Sequence, residues 1–123
     1  MKFDVYLKKH KILRAEAEKD LSMGLYNKAI SGFWFSLEAL MRYLLTKSGK
    51  ISPERAGPLI SKFINIVIGD LRRKRALRDI LNRIYARRRE VDHRRKLADK
   101  RYAEDTYKLY MKALEIINEE LTE

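Results

Sequence analysis

Tyr26-Asn27-Lys28-Ala29-Ile30-Ser31-Gly32-Phe33-Trp34-Phe35-Ser36-Leu37-Glu38-Ala39-Leu40-Met41-Arg42-Tyr43-Leu44-Leu45-Thr46-Lys47 is the stretch on which the fold turns. Its apolar residues, Ala29, Ile30, Phe33, Trp34, Leu37, Leu40, Met41, Leu44 and Leu45, recur at helical spacing over a face too broad for a surface helix. The pattern predicts the central helix of a core. Gly24 is expected to close the helix before it, and Ser48-Gly49 to end it, with Gly49 in the left-handed conformation.

Outward from this element, Tyr6, Leu13, Ala17 and Leu21 predict a first helix over residues 4–23. Downstream, Pro58 after Gly57 suits the first turn of a short third helix through Leu59, Ile60, Phe63, Ile64 and Val67. Asp70 is expected to cap a fourth helix whose stripe is Leu77, Ile80, Leu81, Ile84 and Tyr85. A fifth, over residues 99–121, repeats Ala103, Tyr107, Tyr110, Leu114, Ile117 and Leu121 at spacings of three and four, a packing seam. The expectation is one all-α domain over residues 1–123, an antiparallel up-and-down bundle of four long helices and one short one. With 46% hydrophobic residues, 123 residues can build a core without staples.

The absence of cysteine excludes disulfides, thiolate chemistry and Cys-based zinc sites. From Met1-Lys2-Phe3-Asp4 onward no apolar run is long enough for a signal peptide or a membrane span, so the chain is read as cytoplasmic, with no membrane partner. A sequence without Gln and rich in Arg, Lys, Glu and Ile leans thermophilic.

The charge is local. Between Arg72 and Arg101 there are 14 Lys or Arg and 4 Asp or Glu, a surplus of +10 out of the chain's +11. Within this stretch stand Arg88 and His93. Extending the fourth-helix stripe one turn lands on Arg88, which must snorkel or find a partner, because an unpaired charge in a core is too costly. His93 lies about 140° further round an ideal helix, so the two side chains are expected to diverge unless the helix ends, bulges, or lends both to a cleft shared by a dimer. Together they suit RNA: arginine is a permanent planar fork for phosphate, and histidine moves protons near neutral pH. Arg87, Arg89, Arg94, Arg95 and Lys96 would supply the field that gathers a polyanion. No metal or other cofactor is required, and two distant histidines without a tight carboxylate cluster make no metal site.

At these residues the chain resembles the HEPN domains, small helical bundles. The resemblance rests on the Arg-x4-His spacing of Arg88 and His93, on Gly24-Leu25-Tyr26-Asn27-Lys28-Ala29 opening the second helix, and on Glu38-Ala39 within it; it spans nearly the whole chain. It implies a homodimer with the two signatures facing each other, and metal-independent RNA cleavage in active members. It also implies a toxin encoded beside a minimal nucleotidyltransferase antitoxin. Arg88 would hold the scissile phosphate and His93 act as general acid or base. Two positions depart from the family pattern: Arg89 stands where a small polar residue is common, and Arg95 where the toxin subgroup carries a tyrosine that the partner enzyme modifies; Tyr102 is the next tyrosine.

Plainer readings stand beside these. The basic stretch is otherwise a solvated face, Arg88 an interface arginine paired with Glu38 or Asp92, and His93 an exposed helix-end histidine. His10, with no evident partner in the sequence, is read as structural. Phe33, Trp34 and Phe35 are read as core rather than as a base-stacking platform, and the tyrosines of the fifth helix as a seam or dimer face. Two functions of other classes remain open: a non-catalytic nucleotide- or nucleic-acid-binding subunit of a nucleotidyltransferase, and a purely structural dimerisation module.

Overall fold

Local signals set the helix limits. Gly24 and Gly49 both adopt positive φ, 79° and 77°, and each is followed by an N–H that reaches five residues back: Leu25 donates to Asp20 O at 2.9 Å, and Lys50 to Leu45 O at 2.9 Å. These are the closures that glycine permits at a helix end. Asp70 and Asp99 cap the helices that follow them, their carboxylates accepting from the N–H of Arg73 (2.9 Å) and Tyr102 (2.8 Å). In the computed structural model, which describes residues 4–123, the result is α1 (Asp4–Ser22), α2 (Tyr26–Lys47), α3 (Ala56–Val67), α4 (Leu71–His93) and α5 (Lys100–Thr122). Met1-Lys2-Phe3, the start of the expected leaderless N-terminus, lies outside the described residues. Among the described residues there is no strand, and no helix is long and apolar enough to cross a membrane.

The five helices form a bundle around α2. Phe33, Trp34, Leu37, Met41 and Leu45 are fully buried, packed with Leu59, Ile60, Phe63 and Ile64 of α3, Leu77, Leu81 and Ile84 of α4, and Tyr110, Ala113 and Ile117 of α5. Contacts across helix pairs run in opposing order: Ser31 meets Asp92 and Phe35 meets Arg88 between α2 and α4, while Arg73 meets Glu120 and Arg87 meets Thr106 between α4 and α5.

Two expected faces are shifted. In α5 the buried line is Ala103, Thr106, Tyr110, Ala113 and Ile117, whereas Tyr107 and Leu114 are half-buried and Leu121 is exposed. Thr106 tolerates burial because its hydroxyl donates to Tyr102 O (2.8 Å) and accepts from Arg87 Nη1 (3.0 Å). In α1 only Ala17 and His10 are buried, and Tyr6, Leu13 and Leu21 are half-covered. This helix lies close on α2 where Gly32 faces Ala17, a contact so tight that a Cβ on Gly32 would stand 2.8 Å from Ala17 Cβ.

His10 has partners that sequence reading did not provide. Its Nδ1 is 2.9 Å from Ser36 O and 2.8 Å from Ser36 Oγ; the Ser36 hydroxyl is also 3.1 Å from His10 O and 2.8 Å from the Tyr110 hydroxyl. A carbonyl only accepts, so Nδ1 carries the proton, and a buried polar network joins α1, α2 and α5. Burial pushes the Tyr110 phenol up to about 12 and holds His10 below its ordinary 6.5, an effect that the Ser36 bond opposes and that Arg14 and Lys11 reinforce. A base depressed in the fold binds fewer protons there than in the unfolded chain. Stability from this site is thus present above about pH 6.5 and lost as pH falls through the folded value. Urea midpoints should decline between pH 6.5 and 5 more steeply in the native protein than in His10→Gln; equal slopes would refute the assignment.

Candidate active site at the end of α4

The basic stretch divides according to which way each arginine leaves α4. Arg73 turns to the end of α5, where its guanidinium meets Glu120 (3.1 Å), Glu119 (3.7 Å) and Glu123. These hydrogen bonds raise the Arg73 pKa and lower that of Glu123. Arg87 also bridges to α5, with Nη2 2.9 Å from Asp105, Nη1 on Thr106, and its guanidinium 4.7 Å from the Tyr102 ring centre. Arg87, expected among the phosphate-gathering cations, thus joins two helices through both terminal nitrogens.

Arg88 leaves on the opposite side, toward α2. Its guanidinium lies 5.1 Å from the Phe35 ring centre, and Nε is 3.1 Å from Asp92 Oδ2. The Nε is buried and makes no hydrogen bond, so this contact is a Coulombic pair with poor alignment rather than a fork-to-carboxylate bond. Asp92 is held in turn by the Ser31 hydroxyl at 2.6 Å. Of the two carboxylates considered for Arg88, Asp92 is the one it meets; Glu38 stands 3.8 Å from Arg42 instead.

His93 is the last residue of α4, so of the exceptions allowed to the helical phase the one met is that the helix ends. Arg88 Nη1 and His93 Nε2 are 3.2 Å apart within one chain. At Arg94 the backbone turns extended (φ −126°, ψ 118°), leaving the terminal imidazole free to fold back, while Arg88 is long enough to reach across the intervening arc. Divergence by 140° therefore gives way at the helix end, and a second chain is not needed to bring the pair together. A guanidinium only donates, so this hydrogen bond uses the Nε2 lone pair as its acceptor.

The following segment is fixed from α2. Asn27 Nδ2 donates to Lys96 O (3.0 Å), and its Oδ1 accepts from the N–H of Ala98 (2.8 Å), pinning the turn between α4 and α5. Tyr102 donates to Glu90 (2.7 Å); burial, followed by this bond, pushes its phenol up to about 12. The Lys96 ammonium lies 4.3 Å from the Tyr102 ring centre. Arg89, Arg94 and Arg95 are exposed, Arg89 approaching only the Tyr85 ring at 5.9 Å.

Arg88 and His93 thus stand together at the end of α4, next in the chain to the exposed Arg89, Arg94 and Arg95, while Lys96 lies over the Tyr102 ring on the side of Arg87. A hollow of about 630 Å³ between Arg14 and the Tyr107–Asn118 side of α5 is lined by neither residue, nor is the cleft of about 200 Å³ behind Phe35. Among the described residues no three His or acidic side chains gather into a metal site. Sequence reading missed Ser31, Phe35 and Asn27 as positioning residues. Asn27 had a signal, since it belongs to the stretch that opens α2 in the resemblance; nothing in the sequence marks Ser31. No family model matches this chain, and no curated protein matches it.

Proposed function

We propose that this chain is a metal-independent endoribonuclease of HEPN type, working in the cytoplasm as a homodimer and as the toxin to a minimal nucleotidyltransferase antitoxin. The observation that carries the nuclease reading is the 3.2 Å approach of Arg88 Nη1 to His93 Nε2 in a locally cationic surface. A phosphodiester entering there takes the place of the imidazole as acceptor for Arg88 and frees the Nε2 lone pair. His93 then takes the proton from a ribose 2′-hydroxyl. The 2′-oxygen bonds to phosphorus, the bond to the 5′-oxygen breaks, and the proton held by His93 passes through solvent to that leaving oxygen. The products are a 2′,3′-cyclic phosphate and a 5′-hydroxyl. Two copies joined at their α4 ends would place two such pairs in one composite cleft and close the surface that a single chain leaves open.

The purified protein is expected to cut single-stranded RNA in excess chelator and leave cyclic phosphate ends, seen by end-group analysis; intact RNA under those conditions overturns the reading. The Arg88–Asp92 pair and the open surface favour a second reading, a subunit that binds nucleotide or nucleic acid without turnover. Saturable nucleotide binding by calorimetry, with RNA left whole, selects it.

A further inference from the structure

We infer that the outward face of α4 is a track for the backbone of base-paired RNA, with His93 at its end. The face opposite the buried Leu77, Ile80, Leu81 and Ile84 carries Arg72, Arg75, Arg78, Arg83 and Arg89, all exposed. Arg75, Asn82, Ala86 and Arg89 fall on one line, spaced seven, four and three residues apart. From Arg72 to Arg89 the face is about 26 Å long. Its carboxylates are already engaged: Asp79 pairs with Arg83 at 3.0 Å, and Glu90 accepts from Tyr102. Among the described residues no carboxylate is paired with Arg72, Arg75 or Arg89, whereas Arg73, Arg87 and Arg88, which leave the helix on other sides, all meet acidic groups.

The chemistry of this face chooses among polyanions and other partners. Unpaired strands are gripped by aromatic rings on which bases stack. Among the described residues every Phe, Tyr and Trp side chain is buried or half-buried, so this face offers no such ring for base stacking and presents cations to a backbone. A row of fixed cations along a straight helix matches the regular phosphates of a paired stem, recognised by shape rather than sequence. After Leu71 the face has no exposed large apolar side chain, which argues against a membrane surface and against a protein partner needing an apolar anchor. The choice of RNA rests on the nuclease reading. The stem would lie along α4 and its unpaired neighbour at Arg88 and His93.

Fluorescence anisotropy across a salt series tests the track independently of catalysis. The full chain is titrated with a labelled hairpin bearing a stem of about 16 base pairs, with an unstructured RNA of equal length, and with the matching DNA duplex. The hairpin should bind at least roughly tenfold tighter than the unstructured strand. Arg72→Ala/Arg75→Ala/Arg89→Ala should weaken hairpin binding by roughly tenfold or more and flatten the log–log salt slope by about 2 to 3. The corresponding triple lysine variant should keep its affinity to within about threefold, because phosphate contacts need charge rather than a fork. All three positions are exposed, and unchanged circular dichroism melts confirm that the variants fold. Equal binding of the unstructured strand, an unchanged slope in the alanine variant, or a DNA duplex held as tightly as the RNA stem overturns the track. Normal hairpin binding without cleavage in chelator overturns the nuclease reading and leaves the track standing.

Discussion

Replacing His93 with Ala is expected to lower the rate of RNA cleavage by about 10²- to 10⁴-fold, the usual contribution of a positioned general acid or base, and to leave thermal unfolding unchanged. The imidazole is exposed at the last turn of α4, and among the described residues its side-chain hydrogen bond is to Arg88, so little structure is lost with it. Arg88→Ala should remove cleavage to a similar degree and lower stability as well. That side chain covers the Phe35 ring and neutralises Asp92, whose other contact, to Ser31, would then hold a carboxylate without a cation. Arg88→Lys keeps the charge but loses the planar fork, and should not recover the rate. Single-turnover rates and melts on the same samples separate the two effects: a normal rate in His93→Ala removes that residue from the chemistry. Mixing Arg88→Ala with His93→Ala tests the composite cleft, since only a site built from both chains regains activity.

Gly32→Ala should destabilise the protein by about 1 to 2 kcal/mol, and Gly32→Val by about 3 kcal/mol, a drop of roughly 10 °C in Tm. The sign is the informative part. In a helix interior, alanine is favoured over glycine by about 1 kcal/mol, so a Gly32 with free space around it would gain stability from the change. Here the added Cβ would meet Ala17 Cβ at 2.8 Å and Ala17 Cα at 3.4 Å. Neither atom can swing aside, because both are held by the α1 backbone. The whole of α1 would have to move off α2, disturbing the His10–Ser36–Tyr110 network one turn further along. A measured rise in Tm for Gly32→Ala would refute this close approach.

The candidate site was legible in part. Local surplus charge and helical phase directed attention to Arg88 and to the end of α4, and the apolar stripe placed Arg88 beside the packing face, where it now covers Phe35. Phase alone could not bring His93 to it, because an ideal helix carries no information about where its own last residue turns. Nor could composition separate the bridging Arg87 from the exposed Arg89, two residues along the same run. That difference depends on Asp105 and Thr106 of α5, brought opposite only by packing. Thr106 likewise shifts the α5 seam, since its burial depends on a guanidinium from another helix.

Signals acting within a few residues determined the helices from sequence alone: glycines able to close helices at 24 and 49, an aspartate able to cap at 70, and an apolar face on α2 too broad for a surface helix. Charge concentration was equally local and equally readable. The tertiary structure decided which of those charges remain exposed to a partner, where Arg88 and His93 meet, what His10 bonds to, and why position 32 has no side chain. Each of these is a distance between groups set by helix packing and side-chain reach, and neither quantity is written in the spacing of residues along one helix.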